Sequence, residues 1–229
     1  MTRGGPGHAP GRSPLGAVVL IVNALQWLVA EAITAGAWTD PVYSYATNYI
    51  SDLGVSDCGT QFQGRELCSP RHALMNTSFM LEGVLFAIGV VLLAQLLSGR
   101  ARRVVIALAI AHGVGMVAVG LFHGSPDGPS YGLTLHVGGA GVAILCANTV
   151  AILAGSLKSL QLPATYRVFS VTVGVLGIIG VTLVGMPAGT AGIFERGSVY
   201  SWLLWIVVTG VLLLARRVRQ PSTLECVPA

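Results

Sequence analysis

Glu31, Glu82, His112 and His136 each interrupt a long apolar run. An ionisable side chain inside such a run costs roughly 2.5–3.5 kcal/mol on insertion scales and is a functional candidate by default. At a rise of about 1.5 Å per residue, Glu82 and His112 stand at similar depths, roughly 15 Å from the same edge of their runs. The two runs are joined only by Ser98–Arg103, so they must pack as antiparallel neighbours. The carboxylate and the imidazole are therefore expected to meet. Such a pair can neutralise itself as a buried contact, hold a ligand headgroup or relay protons. The structural pairing is the first expectation.

A second group gathers towards one end of the runs. Asn23, Trp27 and Glu31 recur every four residues and share one helix face, with Glu31 nearest that end. Asn76 enters the second run from the same side, His123 closes the third, and His136 opens the fourth. Asp127 lies in the short turn Gly124–Pro129, and Ser51 and Asp52 lie in a long loop at this end. These residues are expected to converge. His123, Asp127 and His136 have ligand chemistry for zinc. No HExxH, CxxC or other metal spacing is present, so no metal is expected. A lone serine without an identifiable base makes no triad, and no glycine-rich phosphate loop appears, so no cofactor is expected either.

The elements that must position these groups are membrane spans. Of 229 residues, 53% are hydrophobic and only 10% charged, against about 25% charged in soluble domains. A hydrocarbon core about 30 Å thick takes roughly 20 apolar residues per helix. Spans are expected at Leu15–Ala37, His72–Leu97, Val104–Phe122, Tyr131–Ala154, Val168–Met186 and Ser198–Ala215. This is an all-α, polytopic chain: one six-helix membrane domain over residues 15–215, with a disordered N-terminus at 1–14 and a tail at 216–229. A cleaved signal peptide ending near Ala35-Gly36-Ala37 is the alternative for span one. Its polar Asn23, Gln26 and Glu31 argue against it.

The net charge of +4 is distributed unevenly. Ten of thirteen basic residues lie before span one, between spans two and three, between four and five, and after six; Arg65, Arg71 and Arg196 remain for the other side. The positive-inside rule then puts both termini in the cytoplasm, in a plasma membrane. Lipid headgroups, and not nucleic acid, are the partners these arginines imply.

Trp38–Arg71 forms the long first external loop, rich in Trp38, Tyr43, Tyr45, Tyr49, Ile50 and Leu53. It is expected to be an ordered cap on the membrane surface, its aromatics also serving as an interfacial belt. Cys58 and Cys68 both fall in it and are candidates for a disulfide. In spans four and five, Gly139, Ala143, Ala147, Ala151 and Gly155 repeat every four residues, and Gly174, Gly177 and Gly180 every three. Such rows let helix backbones approach closely.

Asn48-Tyr49-Ile50-Ser51-Asp52-Leu53-Gly54 resembles the N-x-(I/L)-S-(D/E)-L-G signature of the prokaryotic membrane family catalogued as domain of unknown function 998. Gly113-x-Gly115, Gly120-Leu121-Phe122 and His136-x-x-Gly139-Ala140 fit the same family. The chain is similar, more distantly, to six-span damage-regulated autophagy modulators and glycosylphosphatidylinositol-remodelling proteins. The resemblance implies a six-helix integral membrane fold and membrane-lipid business. It points to Asn48, Ser51, Asp52, Gly54, Phe122 and His136, and supplies no reaction. Independently of any family, S-D-x-G suits a turn in which Asp52 or Ser51 caps backbone N–H groups and Gly54 takes a positive φ. Headgroup contact is the second role for Asp52.

The functional expectation is a lipid-binding or membrane-organising protein with an outer-leaflet pocket under the first loop. The alternatives are an intramembrane lipid-modifying enzyme and a small proton-coupled carrier using Glu82 and His112. No broken-helix pair or inverted repeat supports a carrier.

Overall fold

A backbone in lipid must satisfy its own hydrogen bonds, which restricts a chain of this composition to helices. The computed structural model describes residues 12–124, 130–185 and 189–218. Its six long helices are α1 (Arg12–Ala37), α2 (His72–Leu93), α3 (Gly99–Leu121), α4 (Ser130–Ser156), α5 (Ala164–Leu183) and α6 (Ala191–Val218). All six are long and apolar enough to cross a membrane. Apolar side chains such as Leu25, Val29, Val137, Leu176 and Leu204 stay exposed along them, as a lipid-facing surface requires. The protein is an all-α polytopic membrane protein.

Each helix packs on the next in chain order, and α1 packs on α6, so the bundle closes into a ring. The junctions that permit this are small residues. A Cβ on Gly83 of α2 would strike Met116 and the carbonyl of Gly113 on α3. Gly115 of α3 meets Gly139 and Ala143 of α4 in the same way, and Gly155 and Gly174 seat α4 on α5. The small-residue rows of spans four and five are thus contact surfaces.

Residues 38–71 form the cap. Trp38, Tyr43, Tyr49, Ile50, Leu53, Val55 and Leu67 are buried beneath it, each apolar group of this size contributing about 1.5–3 kcal/mol. Ser51–Gly54 makes a short 3₁₀ turn. The cap also contains two strands that the helical reading lacked: β1 (Thr60–Phe62) and β2 (Arg65–Leu67), antiparallel, with Gln61 opposite Glu66. The Cys58–Cys68 disulfide closes this hairpin. Gly54 does not take the expected positive φ; among the described residues, glycines with positive φ are Gly59, Gly64, Gly99 and Gly185. Gly54 is required for a different reason. A Cβ there would collide with Asn76 Oδ1, and Asn76 Nδ2 donates to the Gly54 carbonyl at 2.8 Å.

Two helices extend past the apolar runs into charged residues. α3 begins at Gly99 and includes Arg100, Arg102 and Arg103; α6 begins at Ala191 and includes Glu195 and Arg196. Hydropathy alone starts those spans at Val104 and Ser198 and leaves Arg196 in an external loop. α1 begins at Arg12, and α6 continues through Val218. The expected disorder of residues 1–11, the position of Asp127, the span end at Met186 and the tail beyond Val218 lie outside the described residues.

Candidate functional site

The polar residues separate into three neighbouring clusters and do not converge on one point. At mid-bundle, His112 Nε2 meets Glu82 Oε2 at 2.8 Å, so the expected contact exists. His112 Nδ1 lies 2.9 Å from the Ala143 carbonyl, an acceptor only, which places a proton on Nδ1. Glu82 Oε1 accepts from Asn23 Nδ2 at 3.3 Å and from Trp202 Nε1 at 3.2 Å. Glu82, His112 and Asn23 are fully buried, and each polar atom of the Glu82–His112 pair has a partner. One shared proton suffices to keep the pair neutral. This is a tie between α1, α2, α3, α4 and α6.

The second cluster lies between α1, α6 and the cap. Arg196 Nη2 donates to Glu31 Oε1 at 3.1 Å and to the Tyr43 hydroxyl. Its Nη1 donates to the carbonyls of Tyr45 at 2.8 Å, Asn48 at 2.9 Å and Gly192 at 3.2 Å. The guanidinium also lies 4.6 Å from the Tyr45 ring centroid. Glu31 accepts further bonds from Tyr200 at 3.0 Å and Trp27 at 3.2 Å. Tyr43 in turn donates to the Tyr49 carbonyl at 2.8 Å. Burial raises the phenols of Tyr43, Tyr45 and Tyr49 above the ordinary tyrosine value, most strongly for Tyr43, so they remain donors.

The third cluster is the cap signature itself. Asp52 Oδ2 accepts from the Tyr49 N–H at 2.9 Å, Asn48 Nδ2 at 3.3 Å and Arg65 Nε at 3.1 Å. Asp52 therefore does cap backbone, and it is also ion-paired. Arg65 is sandwiched near the Tyr49 ring at 4.5 Å and the Phe62 ring at 5.6 Å. Ser69 Oγ donates to the Leu53 carbonyl at 2.6 Å.

Beneath the cap lies a cavity of about 380 Å³. Its polar part is Tyr49, Ser51, Asp52, Gln63, His136 and Glu195; its apolar walls come from α4 (Leu133, Val137, Ala140, Ile144) and the end of α5 (Val181, Val184). Val137 is 61% exposed on the outer surface of the bundle, so the wall reaches the lipid-facing side. Glu195 Oε2 accepts the Ile50 N–H, fixing the carboxylate at the cavity edge. His136 Nδ1 faces two carbonyls, Phe122 at 2.8 Å and Val119 at 3.3 Å, which hold its proton there. A narrower void of about 30 Å³ shares Ser51, His136, Ala140, Ile144 and Glu195 and extends inward to Trp27 and Trp202. A void of that size holds about one water.

Of the residues singled out from sequence, Ser51, Asp52 and His136 line the cavity. Glu31, Asn48 and Asn76 anchor the cap instead, and Glu82 and His112 sit deeper. His123 is half-buried and lines neither void, and no group of three metal-ligating side chains occurs among the described residues. Sequence reasoning missed Glu195, Arg196, Arg65 and Asn148. Asn148 Nδ2 bridges α4 to α6 through the Ser198 carbonyl at 3.1 Å, and Gly177 leaves room for it. The adjacent Glu195-Arg196 pair near the start of an apolar run was the available signal, since lipid tolerates such charges only with partners.

The profile of one family, described as a protein of unknown function (DUF998), matches residues 9–212. Neither a curated protein nor a solved structure matches the chain, so the likeness to autophagy modulators and glycosylphosphatidylinositol-remodelling proteins is not shown. The signature Asn48–Gly54 falls wholly inside the matched segment, and the chain belongs to the DUF998 family.

Proposed function

We propose that this is a plasma-membrane protein, with both termini in the cytoplasm, that holds a membrane lipid in the outer-leaflet cavity under its cap. The cavity carries this reading: polar groups at the cap and Glu195, apolar walls from α4 and α5, and a volume of about 380 Å³. A lipid needs that order of surfaces, a wet end and a dry end. The orientation rests on the arginines. Helices that alternate in direction put Arg100, Arg102, Arg103, Lys158, Arg167 and Arg216 at the end opposite the cap, where the positive-inside rule places the cytoplasm. The Glu82–His112 pair favours structure over transport, because it is fully buried and all its polar atoms are engaged.

Native mass spectrometry of detergent-purified protein tests the reading. One lipid adduct should survive on the wild type and disappear in Ala140→Trp, which fills the apolar wall. A wild type without an adduct, or equal retention in both proteins, overturns it. Reporter fusions within residues 38–71 check the orientation, and a cytoplasmic signal there reverses it.

A further inference from the structure

We propose that the lipid headgroup in this cavity carries a primary ammonium, as in an aminophospholipid; the inference rests on the lipid reading above. Charge is the first argument. Among the described residues, the buried and half-buried carboxylates and guanidinium groups under the cap are Glu31, Asp52 and Glu195 against Arg65 and Arg196. Arg196 is spent on Glu31, and Arg65 on Asp52. Glu195 makes no ion pair among the described residues, and it is the carboxylate that borders the cavity on the helix side. No lysine or arginine lines the cavity among the described residues.

Hydrogen-bonding capacity is the second, independent argument. His136 is only 5% exposed and lines the cavity. Its Nδ1 proton is committed to the Phe122 and Val119 carbonyls, so Nε2 is an unprotonated acceptor, and it has no partner among the described residues. Glu195 lines the same cavity as a second acceptor, its carboxylate held by the Ile50 N–H and the Ser51 side chain. A primary ammonium brings positive charge and three N–H donors, matching a lone carboxylate and an open imidazole nitrogen. A quaternary ammonium brings the charge without donors, and an anionic glycerol headgroup brings donors with the wrong charge.

The test is competition on delipidated, full-length protein by native mass spectrometry, using phosphatidylethanolamine, phosphatidylcholine and phosphatidylglycerol with identical acyl chains. The ethanolamine lipid should bind about tenfold more tightly than either competitor. In Glu195→Gln, which keeps an acceptor for Ile50, that preference should fall to about twofold or less while total lipid occupancy persists. Equal binding of the three lipids by wild type sinks the ammonium assignment and leaves the lipid reading intact. Binding of none sinks both. If water-soluble phosphoethanolamine displaces the lipid at equal concentration, the ligand is a soluble amine and the lipid assignment fails. The wild-type arms decide the matter even if the variant does not fold.

Discussion

Arg196, near the start of α6, reaches across to Glu31 on α1 at 3.1 Å and with its other nitrogen holds the carbonyls of Tyr45 and Asn48. One side chain thereby ties α6 to α1 and fastens the cap to both. The charge is affordable in lipid because a carboxylate, a phenol and three carbonyls surround it.

Removing one partner of that pair leaves the other buried and uncompensated, at a cost of about 3–5 kcal/mol. Arg196→Met and Glu31→Gln should each lower the melting temperature in detergent. Arg196→Met should also expose the cap to limited proteolysis, since only it loses the carbonyl anchors. The double variant should be less destabilised than the sum of the two. Strict additivity in this cycle would show that the contact contributes nothing.

Glu82→Gln should be nearly silent, within about 1 kcal/mol. Its amide can donate to His112 Nε2 while its oxygen still accepts from Asn23 and Trp202. Glu82→Ala strands three buried polar groups and should cost about 3 kcal/mol or more. Thermal melts compare the two, and equal losses would refute the neutral-pair account.

Gly54→Ala should destabilise by about 1–3 kcal/mol, because the new methyl group meets Asn76 in a packed site. Asn76→Ala introduced beside it should recover part of the loss by vacating the space. Chemical denaturation of the single and double variants reads the coupling; a Gly54→Ala protein as stable as wild type contradicts the close approach.

The Cys58–Cys68 bond closes the hairpin of the cap and should contribute about 3 kcal/mol on the chain-entropy model. Alkylation followed by mass spectrometry should label both cysteines only after reduction. Labelling of either without reductant would show that the bond is absent.

Alkaline pH should loosen the cap. Burial holds the phenols of Tyr43 and Tyr49 above the tyrosine value of about 10. A group whose folded pKa is raised contributes its full stability below the unfolded pKa and loses it as pH rises beyond. The melting temperature should therefore stay level from about pH 7 to 9 and fall above about pH 10. A tyrosinate absorbance near pH 10 that shrinks in Tyr43→Phe while the protein stays folded would contradict the burial.

Apolar runs of helical length determined the six helices, and the six-residue link Ser98–Arg103 determined that α2 and α3 are neighbours, which in turn made the Glu82–His112 contact legible. Two cysteines close together in the first external loop likewise announced their bond. These are local facts, set by the thickness of a hydrocarbon layer and the reach of a short chain. The Arg196 partner of Glu31 and the Ile50 N–H on Glu195 were not legible. Each contact joins α6 to an element far back in the chain, and the charges of Glu195 and Arg196 read as a helix boundary until their partners are known. Ser51, His136 and Glu195 come to one cavity only because the ring closes α6 against α1 and brings the cap over α4. That closure depends on side-chain packing across the whole bundle, and no stretch of sequence carries it alone.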